Sequence, residues 1–96
     1  MTELEFEWDD KKEAANIKKH KLNFKIARVA FYDFDRIEYY DKENSIEEDR
    51  YVVIGKGIGS ELLFIVYTVR DGKYRLISAR QASKREEKIY YGKNDN

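Results

Sequence analysis

The stretch from Thr68 to Tyr90, TVRDGKYRLISARQASKREEKIY, gathers Arg70, Arg75, Arg80, Lys84 and Arg85 on what reads as a hairpin followed by a capped helix. Guanidinium forks match phosphate oxygens two at a time, so arginines on rigid strands suit a polyanion. Far upstream, the only histidine, His20, stands among Lys18, Lys19 and Lys21. An imidazole with its ordinary pKa of ~6.5 can take up or release a proton near neutrality. Such groups can hold a phosphodiester and move the protons that its cleavage requires. Each also has a plainer use: cations at a helix end complement the dipole, and strand arginines form rims paired with acids.

Geometry sorts the arginines. Asp71-Gly72 reads as a type I′ turn, which puts Arg70 opposite Lys73, Thr68 opposite Arg75 and Leu63 opposite Arg80. Arg75 and Arg80 are five residues apart, so a regular strand turns them to opposite faces. Arg70, Thr68 and Arg75 then share one face, and Tyr67 and Arg80 the other. All three arginines can meet one phosphate only if the strand bends or ends near Ser78. Arg80 is the favoured clamp, because it stands where strand gives way to the helix opened by Ser83, whose unpaired N–H groups suit an anion. His20 is the candidate proton shuttle, with Lys19 as fallback base or phosphate contact. Arg70 and Arg75 are either a clamp or a charged rim. Arg50, Lys84 and Arg85 are candidates for backbone contact, and Tyr67 and Tyr90 for stacking, although tyrosines in strands and helices are more often packed. GKGIGS lacks the lysine-serine ending and following helix of a phosphate-binding loop, so nucleotide binding is excluded.

These groups need a scaffold. Glu5 to Trp8 reads as a short strand. Asp9 or Asp10 caps a helix to about Lys19, with Asp10 and Glu13 at capping-box spacing. Asn23 caps a second helix over Phe24 to Tyr32. Strands follow at Ile37–Tyr40, 50–55, 62–69 and 74–79, and Ser83 with Glu86 opens a last helix to about Tyr91. The order β-α-α-β-β-β-β-α predicts an α+β domain, an antiparallel β-sheet with helices packed against it.

Ninety-six residues make one domain, spanning 1–96, which buries about two-thirds of its unfolded-state surface. Without cysteine there is no disulfide framework or thiolate metal site, and one histidine falls short of the several His or Cys ligands that zinc normally takes. No metal or cofactor is expected. No apolar run approaches the ~20 residues that span a bilayer, and the acidic start MTELEFEWDD is unlike a signal peptide; a cytoplasmic protein is expected. The net charge of zero conceals segregation. Residues 1–10 carry five acids and no base. Residues 11–28 carry seven bases against one acid, residues 33–49 eight acids against two bases, and residues 70–93 eight bases against three acids. A polyanion would therefore be confined to one face.

The chain resembles the BrnT family of bacterial ribonuclease toxins. FEWD from Phe6, Lys12, Asn16, Lys19-His20 and Phe24 match at family spacing; Ser45, Glu48, Arg50 and Ile54-Gly55 match in the middle; YT-x-RDG from Tyr67, RLISARQAS from Arg75, Glu86 and Tyr90 match at the end. The resemblance covers Phe6 to Tyr91. It implies a RelE-like sheet, metal-independent RNA cleavage, and inhibition by a BrnA-type antitoxin in a heterotetramer that meets operator DNA only through the antitoxin. Under it, His20, Arg80 and Arg70 become the catalytic candidates and Lys19, Arg50, Arg75, Lys84 and Arg85 the RNA contacts. The base would take the ribose 2′-hydroxyl proton, the cations would steady the phosphorane, and an acid would protonate the departing 5′-oxygen. The alternative is a non-catalytic RNA- or antitoxin-binding module on the same fold.

Overall fold

The structure, a computed structural model, describes residues 3–94. In chain order it contains β1 (Phe6–Trp8), α1 (Asp10–His20), α2 (Phe24–Ala27), β2 (Ile37–Tyr40), β3 (Tyr51–Lys56), β4 (Leu62–Arg70), β5 (Lys73–Gln81) and α3 (Lys84–Asn94), with 3-10 turns at Arg28–Tyr32 and Ile58–Ser60. The strands form one sheet in the order β1-β5-β4-β3-β2. This matches the expected α+β class, with one difference: β1 runs parallel to β5, so the sheet is mixed. β1 and β5 come from opposite ends of the sequence, so no short turn dictates their direction. The parallel arrangement lets α1 continue past β1 along the β5 edge that β1 leaves uncovered.

Local chemistry accounts for the helix boundaries. Asp9 accepts from the N–H groups of Lys11 and Lys12 at 2.8 and 3.0 Å, which caps α1. Glu13 is not the partner in a capping box there; its carboxylate accepts from Phe24 N–H at 2.9 Å and ties the two helices together. α1 ends at Lys21 in the left-handed region (φ 59°), whose N–H returns to Ile17 O. The expected second helix tightens into a 3-10 turn at Arg28. Its buried residues are Phe24 and Ala27 in the α-helical part and Ala30 and Phe31 in the 3-10 turn.

The sheet divides the core in two. On one face Phe24, Ala27, Ala30 and Phe31 bury against Val53, Leu63, Ile65, Tyr67, Leu76 and Ala79, with Phe6 and Trp8 packed at the margin. Each large apolar side chain fully buried here contributes roughly 1.5–3 kcal/mol. Gly55 is required at this contact, because a Cβ there would stand 2.4 Å from Ala30 O. On the opposite face Ile37, Val52, Ile54 and Leu62 pack with Tyr90 of α3. The Tyr90 hydroxyl donates to Asp33 at 2.7 Å, and Asp33 also accepts from Lys56 N–H. α3 thus covers only the Leu62 end of this second face. At the hairpin end, Thr68 donates to Asp49 O at 2.6 Å and draws the connection from β2 to β3 over the sheet.

Candidate functional site

The β4–β5 pairing contains an irregularity that decides where the arginines point. Arg70 lies opposite Lys73 and Thr68 opposite Arg75, as the turn predicts. Between Val66 and Tyr67 the register shifts: Tyr67 faces Leu76, Val66 faces Ser78, and Ile77 is the extra residue of a bulge. Arg80 therefore stands opposite Phe64, not Leu63. The shift cancels the odd spacing, so Arg75 and Arg80 share one face with Arg70, Thr68 and Ser78. This corrects the regular-strand expectation. Tyr67 is on the other face, buried, and its hydroxyl donates to Glu38 at 2.8 Å; burial first, and then that carboxylate, push its pKa well up. Tyr90 is buried likewise. Neither tyrosine is presented for base stacking.

Each arginine on this face carries a carboxylate from a different element. Arg80 donates through both Nη atoms to Glu86 of α3, at 2.8 and 2.9 Å, and its guanidinium lies 4.2 Å from the Phe64 ring centre. Glu86 also accepts from Ser83 N–H and its own N–H donates to Ser83 Oγ, completing the expected capping box. The Arg80 hydrogen bonds hold the Glu86 carboxyl below its ordinary range, and Glu86 in turn raises Arg80. Arg75 pairs with Glu7 of β1 at 3.0 Å, and Arg70 with Glu48 at 3.1 Å. Tyr39 of β2, half exposed on the same face, has its pKa raised by burial first and then by the charge of Glu86.

His20 lies at another margin. With Lys12, Ala15, Asn16, Lys19, Ile77 and Ser78 it lines an open groove of about 230 Å³ between α1 and the bulged part of β5. Asn16 sets this geometry, and sequence reasoning gave it no role beyond a motif match. Its side-chain amide donates to Ala79 O at 2.9 Å and accepts from Ala79 N–H at 3.0 Å, as a neighbouring strand would, and it also donates to Leu22 O. A buried mid-helix asparagine has few other uses, and that was the available signal. Lys12 is the second residue missed; it is one helical stripe with Lys19.

Of the sequence-predicted residues, His20 and Lys19 come together in the groove, while Arg70, Arg75 and Arg80 share the open face but are spread along it from the turn to the Phe64 end of the hairpin. Ser78 belongs to both. Arg80 is not in the groove wall. Arg50 stands apart in a hollow lined by Asn44, Ile46, Glu47 and Glu48, where carboxylates outnumber it. Lys84 is almost fully exposed and reaches Glu87 only at 3.8 Å, and Arg85 is exposed on the same helix. Among the described residues, no three His, Cys, Asp or Glu side chains group as metal ligands, and no helix is long and apolar enough to cross a membrane.

Comparison with known proteins adds two findings. The family model described as the ribonuclease toxin, BrnT, of type II toxin–antitoxin systems matches residues 8–86. The crystal structure of the Brucella abortus ribonuclease toxin BrnT superposes with a TM-score of 0.65 at 26% identity, covering 85% of this chain and all of that one. No curated protein matches.

Proposed function

The chain belongs to the BrnT family of ribonuclease toxins of type II toxin–antitoxin systems, and from that premise we propose that it cleaves RNA by attack of a ribose 2′-hydroxyl on its own 3′-phosphate. The scissile phosphate sits above Ser78, between the His20 groove and Arg80. His20 removes the 2′-hydroxyl proton or delivers one to the departing 5′-oxygen. Lys19 and the Arg80 fork carry the charge that builds on the phosphorane. Arg75 holds a neighbouring phosphate, Arg70 a more distant one, and Lys84 and Arg85 meet the outer backbone. The product is a 2′,3′-cyclic phosphate and a 5′-hydroxyl; His20 moves one of the two protons, solvent takes up or gives the other, and no metal is assigned a step. A BrnA-type antitoxin silences the toxin in the cytoplasm, in a complex with two copies of each chain that binds operator DNA through the antitoxin.

One observation supports this assignment above the others. Ser78 lies two residues from Arg80 on the open face and also lines the groove that holds His20. A single nucleotide step over Ser78 therefore meets a proton shuttle on one side and a cation on the other. Purified, partner-free protein incubated with labelled single-stranded RNA tests it. His20→Ala should lower the rate about 10²–10⁴-fold, and removing the Arg80 cation should lower it by about 10²-fold or more. A 2′-deoxy residue at the cleaved step should abolish the cut. Unchanged rates in both variants would remove the site assignment.

The Arg80–Glu86 fork favours a second reading, a module that binds RNA or its antitoxin without hydrolysis, because the clamp is already occupied by a carboxylate. Retained RNA binding by the wild-type protein with no cleaved product would establish it.

A further inference from the structure

Both edges of the sheet are acidic in sequence: β1 lies within residues 1–10, and β2 lies inside the block of residues 33–49, which carries eight acids against two bases, while the basic blocks belong to α1 and to β5 and α3. β2 is also an open edge. Asp41 N–H bonds to Arg50 O across the β2–β3 ladder, so by alternation Ile37 and Tyr39 direct their backbone groups at β3. Glu38 and Tyr40 direct theirs outward. Among the described residues, no hydrogen bond engages those outward groups. Tyr39 and Tyr40 are exposed, and the partly exposed Glu38 carboxylate accepts from the Tyr67 hydroxyl and from Arg36.

Natural sheets usually blunt such an edge with lysine, proline, a bulge or a covering element. IEYY contains neither lysine nor proline, and its pairing with β3 shows no register shift. Its brevity is its main protection. Tyr39 and Tyr40 flank the edge on opposite faces, 40% and 48% exposed, and Ile46 in the following connection is 86% exposed. Hence the edge offers backbone bonds, an aromatic wall on each face and a surplus of carboxylates.

We propose that the outer edge of β2 is a strand-addition site that takes a basic, β-forming segment of the protein antitoxin. This rests on the type II reading of the partner given above. Backbone bonds to Glu38 and Tyr40 would set register, the tyrosines would cover alternate side chains, and the acidic block would select lysine or arginine. A second copy of this chain is the poorer occupant, because β2 against β2 would oppose two acidic blocks. RNA is repelled for the same reason. The edge lies across the sheet from the His20 groove, so strand addition and cleavage are separable.

Amide hydrogen exchange on the full chain, read residue by residue, tests this. The probes are a capped eight-residue peptide alternating Lys and Val and its Glu/Val counterpart, each at saturating concentration. Exchange at Glu38 and Tyr40 should slow about tenfold or more with the basic peptide, with Tyr39 unchanged and no effect from the acidic one. Tyr40→Pro, which deletes an outward donor that an edge strand can spare, should abolish the response, and Tyr40→Ala should keep it. If Tyr40→Pro does not fold, the contrast between the peptides on the unaltered chain decides. No protection, equal protection by both peptides, protection by RNA, or protection from self-association in their absence would each overturn the proposal. RNA cleavage is measured in the same samples. Cleavage without protection removes the docking edge alone, and protection without cleavage removes the ribonuclease reading alone.

Discussion

The side-chain amide of Asn16 pairs with both backbone groups of Ala79, and so holds the middle of α1 against the stretch of β5 that β1 does not cover. Replacing it with alanine leaves a buried N–H and a buried carbonyl without partners, at about 1–3 kcal/mol for each such group. Asn16→Ala should therefore lower the denaturant midpoint markedly and loosen the His20 groove. Asn16→Asp should be at least as harmful, since a carboxylate cannot donate to Ala79 O. Equilibrium unfolding, followed by fluorescence of Trp8, checks both. A loss under about 0.5 kcal/mol, the scale of an ordinary surface change, would show that α1 is held by other contacts.

Much of this scaffold was legible because local signals agreed with the final packing. Asp71-Gly72 set the hairpin, Asn23 and Ser83 capped helices where they stand, and the apolar runs became β3, β4 and β5. The bulge at Ile77 was not legible. No glycine or proline marks it, and the residue that fails to pair is a β-branched one that fits a regular strand. That single unread residue reversed which face Arg75 occupies relative to Arg80. The direction of β1 was hidden for another reason: three residues contain no signal of parallel or antiparallel pairing, which the crossing of α1 decides. The arginines could be counted from sequence, but their carboxylate partners come from β1, the β2–β3 connection and α3, and only the fold brings these together.

Gly55 closes the strand expected over 50–55, and packing gives it a further role: it lies in β3 beneath Ala30, with no room for a methyl group. Gly55→Ala should cost about 1–3 kcal/mol by overpacking. Gly72→Ala meets no neighbour but sits at φ 76°, so it should lose stability through backbone strain alone. Thermal midpoints of the two variants, with the crystal structure or exchange pattern near Ala30, separate the mechanisms: only Gly55→Ala should disturb the helix-covered face.

Glu86 links stability to pH. Its hydrogen bonds with Arg80 lower its pKa, burial opposes them, and the Ser83 amide adds to the lowering. A carboxyl whose folded pKa is depressed contributes stability that is full above the ordinary value of 4.5 and is lost as pH falls through the lower folded value. Wild type should therefore lose stability over that acidic window. Glu86→Gln keeps the capping geometry and removes the titration, so the gap between the two proteins should shrink as the window is crossed. Denaturant midpoints measured from neutral to acidic pH read this directly. A constant gap would mean that the Arg80–Glu86 pair contributes nothing through its charge.

RNA affinity should respond to the carboxylates as well as to the arginines. Arg75 pairs with Glu7 at 3.0 Å, and both side chains are partly exposed, so the pair itself adds little to stability. Its effect on a polyanion is larger, because Glu7 cancels a charge that would otherwise meet phosphate. Glu7→Gln should tighten RNA binding at low salt, with the gain fading as salt rises and screening shortens the reach of the freed guanidinium. Arg75→Ala should weaken binding and flatten the dependence of log affinity on log salt by about 0.7, the share of one neutralised phosphate on a single strand. Arg75→Lys keeps the charge but not the fork, so the slope should stay while affinity falls. Binding titrations at three or more salt concentrations, using His20→Ala protein so that the RNA stays intact, distinguish these outcomes. An unchanged slope in Arg75→Ala would move the RNA path off the open face and leave the α1 lysines to carry it.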